Sequence, residues 1–499
     1  MKLSRREFIN VSGAGLASAL IPRALASVAN AVPPAAAPGK RPNILYIWTD
    51  EQTYNVMSNA GNRWLKTPAM DSLARDGVTF ERCYSADPIS VPSRTSWLTG
   101  RMPHETGVLD IGAPHNRPAL KAGVPALSRL MKDAGYDTGY VGKWHIPTKI
   151  ENNAWNGLDY IHELTKAGGG GDFKVPGLCE TFLKQKRDKP FFLVAAFVNP
   201  HDICEWARMA SGMEDDFWNG AQVSLTPPLE QCPPLPDNLA IPEGEPSVIR
   251  EEQRRSKGTY PVRDWPPERW RQYLWAYYRL TEAVDAQIGK LLRTLKETGQ
   301  DDNTLIIFSS DHGDGMGAHQ WNQKNIFYEE CVRIPFIVRP PRAGTGAAEA
   351  RAAGLGRRDT KNFVSMNLDF FPTVFDYAGI KTPAGLRGIT LRPLVEGRPN
   401  AKAHEFAFSV THLIGVGPKS ASGTYVLGRM LRTERYKYLR FSSGENREQF
   451  FDLQNDPGEL LDLKKDATHA AGFAEHRALM DKWLRDTGDP LADAPGWGI

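Results

Sequence analysis

Between positions 90 and 101 the chain reads Ser90-Val91-Pro92-Ser93-Arg94-Thr95-Ser96-Trp97-Leu98-Thr99-Gly100-Arg101. Pro92 suits the first turn of a helix, with Ser90 or Val91 at or near its cap. A hydroxyl carbon there sits at the positive end of the helix dipole. Backbone N–H groups without helical partners point the same way, so the position welcomes an anion. Arg94, one turn further on, reaches back to the same spot. The run is equally a good helix cap, which by itself needs no function. Elsewhere Asp50, Glu51 and Asp311 offer hard oxygen donors of the kind Ca²⁺ and Mg²⁺ take, with His312 beside Asp311. Aspartates also favour strand-end turns without any ion.

Short apolar runs must position these groups. Asn43–Trp48, Phe191–Val198, Thr304–Phe308 and Pro335–Val338 read as strands buried on both faces, with Tyr140-Val141 a weaker signal. Between them lie helical patterns. The longest starts after Pro266-Pro267 and runs to about Thr298, with Val284, Ile288, Leu291 and Leu295 on one stripe and Gly299 as its stop. Alternating strands and helices predict an α/β fold with a large, mostly parallel sheet flanked by helices. In such sheets chemistry collects beyond the carboxyl ends of the strands. Asp50 follows the first strand, Asn199-Pro200-His201-Asp202 the third, and Ser310-Asp311-His312-Gly313 the fourth.

From about Ala403 the runs shorten: Phe406–Val410, Arg429–Thr433, Tyr436–Phe441 and Gln449–Leu453. They predict a small antiparallel sheet, with a final helix around Ala474–Leu484. The expected organisation is a catalytic α/β domain over 41–400 and a C-terminal α+β subdomain over 401–499.

The first 31 residues carry Arg5-Arg6, a weakly apolar stretch and two A-x-A sites, Ala24-Leu25-Ala26 and Ala29-Asn30-Ala31. This resembles a twin-arginine signal peptide and implies export to the periplasm by the twin-arginine machinery. Residues 32–40 read as a stiff linker. The net charge of +3 comes wholly from Lys2, Arg5, Arg6 and Arg23 against Glu7, and the remainder balances. A balanced chain has no basic footprint for nucleic acid. No apolar run is long enough to span a bilayer. The five cysteines lack CxxC spacing and predict buried thiols in place of a disulfide framework or a cysteine zinc site.

Ser90, Pro92, Ser93, Arg94, Trp97-Leu98 and Thr99-Gly100 resemble the modification motif of the sulfatase family, within the alkaline-phosphatase-like superfamily. Six further segments match that family in order across roughly 41–465. They are Pro42-Asn43-Ile44 leading to Asp50-Glu51, Gly142-Lys143-Trp144-His145, Pro200-His201-Asp202, Ser310–Gly313, Lys324 before Tyr328-Glu329-Glu330, and Arg435–Tyr438 before Phe451-Asp452-Leu453. Val91 stands where a small residue is usual, and Glu51 where a second aspartate is commonest.

The resemblance implies a sulfuric ester hydrolase in which Ser90 is oxidised to formylglycine (3-oxoalanine) by a Ser-type maturing enzyme before export. It implies one divalent cation, Ca²⁺ ahead of Mg²⁺, held by Asp50, Glu51, Asp311 and His312. Lys143 and Lys324 would position the sulfate, and Arg94 with the cation would assist the attack on sulfur. His145 would serve the formylglycine hydroxyls, and His201 the departing alcohol. The expected substrate is a sulfated glycan or small molecule, including an aryl sulfate or an N-sulfo group. Two other readings stand beside it: a phosphate or phosphonate ester hydrolase of the same superfamily, and an inactive protein that binds sulfated glycans. His104, and Trp155, Trp206, Trp218, Trp265 and Trp321, are further candidates for the pocket wall.

Overall fold

The computed structural model describes residues 41–111, 119–164, 171–214, 223–256, 258–342, 354–413, 426–494 and 497. The expected signal peptide, the linker and Trp218 lie outside them.

Strand β1 (Asn43–Asp50) is apolar at successive positions because both of its faces are covered. Ile44, Tyr46 and Trp48 pack to one side with Trp97 and Phe370. Leu45 and Ile47 pack to the other, against Val284, Ile288, Leu291 and Leu295 of the long helix Pro267–Glu297. The first side is covered by helix Met366–Ala378 and by α2 (Ser90–Thr99), which follows α1 (Pro68–Arg75) in the chain.

The other strands of the large sheet are β2 (Val78–Tyr84), β3 (Asp137–Gly142), β4 (Tyr160–Glu163), β5 (Phe191–Pro200), β6 (Thr304–Ser310), β7 (Phe336–Arg339) and β8 (Arg358–Ser365). Their order is β4-β3-β5-β1-β6-β7-β2-β8. All neighbours run parallel except at β7, which is antiparallel to both β6 and β2. The predicted mixed, mostly parallel sheet is therefore present. Its first strand lies between β5 and β6; the chain leaves β3 toward β4 on one side and its neighbour β5 toward β6 on the other, the kind of divergence at which such sheets bind ligands. Register places Asp50 beside Pro200 and Thr49 beside Ser310, so the residues following three strands emerge at one edge.

The small sheet is antiparallel in the order β12-β11-β10-β9: β9 (Ala407–Leu413), β10 (Val426–Arg432), β11 (Tyr436–Phe441) and β12 (Glu448–Asp452). The final helix spans Ala470–Thr487. A buried ion triad joins this sheet to the large one. Lys437 Nζ lies 3.1 Å from Glu329 Oε1 and 2.8 Å from Glu459 Oε1, and Tyr84 donates its hydroxyl to Glu329 Oε2 at 2.9 Å. The late Arg435–Tyr438 segment thus anchors the stretch that follows Lys324.

Burial would raise the Glu329 carboxyl, but Lys437 and Arg333 outweigh it and hold it down at about 2. A depressed folded value means that its stabilisation is complete above the unfolded value of about 4.3. That stabilisation is lost as pH falls through about 2. Glu329→Gln should cost about 1–3 kcal/mol at neutral pH, because Lys437 loses one charged partner and keeps Glu459 alone. The penalty, read from urea unfolding, should shrink as the pH is taken from about 4 toward 2; a pH-independent penalty contradicts this assignment.

Candidate active site

After β2 the chain passes through Ser85–Ile89 into α2, whose first residue is Ser90. Ser85 Oγ and Ser93 Oγ both donate to the Asp311 carbonyl, at 2.6 and 2.7 Å, and Asn367 Nδ2 donates to the Ser93 carbonyl at 2.7 Å. These bonds tie the start of α2 to the end of β6. Ser90 is fully buried, with Oγ 2.9 Å from His312 Nε2. His312 Nδ1 lies 2.9 Å from the Gly313 carbonyl, which assigns the ring proton to Nδ1 and leaves the Nε2 lone pair facing residue 90.

Arg94 is fully buried beneath this point. Its Nε donates to Asp311 Oδ2 at 2.8 Å, one terminal nitrogen to Asp50 Oδ2 at 2.7 Å, and the other to the Lys143 carbonyl at 2.8 Å. The guanidinium also lies 4.3 Å from the ring centre of Trp48. Lys143 Nζ reaches Asp50 Oδ2 at 2.9 Å. Burial would raise the Asp50 carboxyl, but Lys143 and Arg94 hold it well below the ordinary range. Asp311 is pushed the other way, up to about 6, by burial and by the nearby Asp50 charge.

Lys143 owes its place to Gly142, which ends β3 at φ 113°, where a side chain is disfavoured. A Cβ there would lie 1.7 Å from the Ala196 carbonyl oxygen, so no other residue allows β3 to approach β5 this closely.

Asp50, Asp311 and His312 bring ligand atoms within 4.8 Å of one another. Asp50 Oδ1 has no hydrogen-bond partner among the described residues although it is buried. Two carboxylates, one orphaned oxygen and one available imidazole lone pair suit a divalent cation. Charge leads to the same conclusion. Three cations (Arg94, Lys143, Lys324) pair with three carboxylates (Asp50, Glu51, Asp311), so the cluster by itself carries no excess charge for an anion. A divalent cation would make it positive.

Glu51 and Lys324 form the other half of the site. Lys324 Nζ lies 2.7 Å from Glu51 Oε2. Burial opposes its charge, but Glu51 and Asp50 keep Lys324 protonated. Asp314 fixes the loop that carries Lys324, accepting from Met316 N at 2.7 Å, Gln323 N at 2.8 Å and Tyr273 Oη at 2.7 Å. The Glu51 carboxylate meets Lys324, Cys204 and His201, and its oxygens group with His201 and Cys204. His201 lies at the end of β5, its turn held by Asp172 Oδ1 and Oδ2, which accept from Val198 N at 2.7 Å and Asn199 N at 2.8 Å. Burial, then Lys143 and Lys324, keep His201 neutral. Burial, then Lys143, do the same to His145.

The predicted catalytic and metal-ligating residues thus lie at the carboxyl edge of the sheet, with His312 in contact with Ser90. Sequence reasoning passed over Cys204, Asp172 and Tyr277, none of which stands in a recognisable motif. His104 is elsewhere, buried with Nδ1 3.3 Å from Asp489 Oδ2 and Nε2 3.3 Å from the Thr487 carbonyl. Trp206 and Trp321 are fully buried core. Trp155 and Trp265 pack partly buried against the cores. All five cysteines are buried free thiols.

An α/β sheet with buried cations and a cation-competent carboxylate pair at its carboxyl edge is suited to an anionic ester once a divalent cation is bound. The sulfatase family profile matches residues 42–380, and the profile of the N-sulphoglucosamine sulphohydrolase C-terminal region matches 317–484. The chain belongs to the sulfatase family and is a sulfuric ester hydrolase. It is 31% identical to the Delta 4,5-hexuronate-2-O-sulfatase of Bacteroides thetaiotaomicron, over 90% of each chain. It is 26% identical to an N-acetylglucosamine-6-O-sulfatase of the same organism, over 95% of this chain and 92% of that one. The solved structure of a 2-O GAG sulfatase superposes with a TM-score of 0.77 at 28% identity, covering 91% of this chain and 94% of that one.

Arg94→Ala leaves Asp50 and Asp311 buried without their shared partner. In cation-free protein it should cost about 3–5 kcal/mol, measured by urea unfolding. Arg94→Lys should recover only part of that, since an ammonium cannot reproduce the fork. An unchanged unfolding midpoint in Arg94→Ala contradicts the clamp.

Proposed function

We propose that this enzyme removes sulfate from carbohydrate sulfate esters, using residue 90 as formylglycine and one divalent cation, in the periplasm. The observation that carries this reading is the buried network of Arg94 with Asp50, Asp311 and Lys143, next to His312, whose Nε2 lies 2.9 Å from Ser90 Oγ, and to the Lys324–Glu51 pair. The two curated relatives are named as sulfatases of hexuronate and N-acetylglucosamine, which supports a sugar over an aryl group. Among the described residues no helix is long and apolar enough to cross a membrane. Export rests on the Arg5-Arg6 leader alone.

Maturation would remove two hydrogens from the Ser90 carbinol. The aldehyde so formed adds one water, a hydroxyl of the resulting gem-diol supplies the nucleophile for sulfur, and a bound cation would supply Lewis-acid charge. Asp50, Asp311 and His312 would hold that cation, Ca²⁺ being favoured by the oxygen donors. The rest is the work of the chain itself. Arg94 keeps both carboxylates in register beneath residue 90. Lys143 and Lys324 present ammonium groups to the sulfate oxygens, where charge grows as the ester bond breaks. A bound sulfate offsets the two lysines that depress His201, so the imidazole gains proton affinity as substrate arrives and can protonate the departing sugar oxygen. His145, neutral and with Nδ1 unpartnered among the described residues, is poised to take a proton from residue 90 when the sulfate is released.

The test is a mass measurement joined to an assay. After co-expression with a Ser-type maturing enzyme, the peptide bearing residue 90 should be lighter by two hydrogens. The protein should then release free sulfate from sulfated monosaccharides, and Ser90→Ala should abolish release. Active enzyme carrying only unmodified serine contradicts the formylglycine step. Higher kcat/KM on matched phosphate or phosphonate esters would favour that rival chemistry. Binding of sulfated sugar without turnover after maturation would favour a binding protein.

A further inference from the structure

Residue 90 stands in a turn with two limbs: Ser85–Ile89 follows β2, and Val91–Ser93 opens α2. A side chain from outside the turn grips both limbs. Register pairs Tyr84 of β2 with Ser365 of β8, so the helix Met366–Ala378 starts beside the chain that leaves β2. Asn367, fully buried in its first turn, accepts from Ala86 N at 2.7 Å through Oδ1. Its Nδ2 donates to the Ser93 carbonyl at 2.7 Å and to Ser93 Oγ at 2.9 Å. A backbone N–H can only donate, which settles the end of the carboxamide that carries the oxygen. The amide N–H in turn directs the Ser93 hydroxyl proton to the Asp311 carbonyl, 2.7 Å away. Ser85 Oγ, 3.2 Å from Ser93 Oγ, spans the same two limbs more weakly.

The helical turn that carries Asn367 is itself anchored. Asp369, fully buried, accepts from Ser365 N at 2.8 Å and from Ile389 N at 2.9 Å, and His404 Nε2 lies 2.8 Å from its Oδ1. A carboxylate held by three segments is a firm base for the residue two positions before it.

We propose that Asn367 is a positioning residue of the reaction, whose carboxamide staples Ala86 to Ser93 and so sets where the residue 90 side chain stands relative to the bound ester. This rests on the reading of the site as a sulfatase centre. A buried amide needs partners in any case, and satisfying them would by itself make Asn367 a stability residue. The partners it has are more particular, because they flank the reacting residue on both sides. A displacement of the nucleophile by about 1 Å costs on the order of 10²-fold in rate. Lys143 and Lys324, which meet the sulfate, come from other segments, so losing the staple should reach the chemical step and spare sulfate binding.

The test uses the matured, full-length enzyme, with kcat expressed per formylglycine counted by mass spectrometry and inorganic sulfate as the binding probe. In Asn367→Leu, below its unfolding transition, kcat on a sulfated monosaccharide should fall about 10–100-fold while the inhibition constant of inorganic sulfate stays within about two-fold. Leu295→Ala, a cavity in the buried stripe of the long helix, should lower the unfolding midpoint and leave kcat unchanged. If Asn367→Leu does not accumulate, Asn367→Ser carries the same expectation, because a serine hydroxyl cannot reach both limbs. Wild-type kcat in the folded variant would overturn the proposal, and so would a sulfate inhibition constant that weakens in step with kcat. If the matured wild type hydrolyses no sulfate ester, the sulfatase reading fails, and a crystal structure of the variant still decides the role of Asn367. Residue 90 should shift by about 1 Å against the Arg94 guanidinium; an unmoved residue 90 would overturn the staple.

Discussion

One buried guanidinium holds the site together. Arg94 lies between Asp50 at the end of β1 and Asp311 just beyond β6, and its third contact is to the Lys143 carbonyl beyond β3. Four segments distant in sequence therefore meet on one planar group that has no solvent exposure. Two carboxylates this close in an apolar interior repel each other, and burial penalises each of them. The arginine makes their proximity tolerable and fixes the oxygens in one orientation. Trp48 walls the guanidinium from the core side, and its ring centre lies 4.7 Å from that of Trp97. The core and the chemistry thus share residues, since the face of β1 that presents Trp48 to the core ends in the carboxylate that Arg94 grips.

Around that clamp the charges fall into two halves. One half, with Asp50, Asp311 and His312, is suited to a cation. The other, with Lys324 and His201, is suited to the ester. Each half has its own scaffold. The first rests on the strand ends and on the serine contacts to the Asp311 carbonyl. The second depends on a loop pinned by Asp314 and, further on, by the Glu329–Lys437–Glu459 triad. The C-terminal sheet therefore contributes to the site at one remove, by anchoring the stretch that follows Lys324.

Much of this arrangement was legible before any coordinates. The buried strands β1, β5 and β6 read as near-continuous apolar runs because helices cover both their faces, and their polar sequels marked the site edge. Strands β2 and β8 were not read. Val78–Tyr84 carries Glu81 and Arg82 at its centre, and Arg358–Ser365 is an edge strand whose residues are mostly polar, so neither shows an apolar run. The backbone conformation of Glu51 was also beyond sequence reasoning, because its positive φ is held by Asp311 and by Tyr277, 226 positions away. Cys204 and Asp172 are single residues outside any motif, and only the turn after β5 brings them into place. Tryptophan counts misled in the opposite sense: Trp206 and Trp321 are core, where a large ring excludes water and does not meet a ligand.

The most direct test of this account is a crystal of the matured enzyme soaked with Mn²⁺ and examined for anomalous scattering. A single peak in contact with Asp50, Asp311, His312 and residue 90, with Arg94 still bridging both aspartates, is the predicted result. A peak elsewhere, or a cation that displaces Arg94 from the two carboxylates, would contradict it.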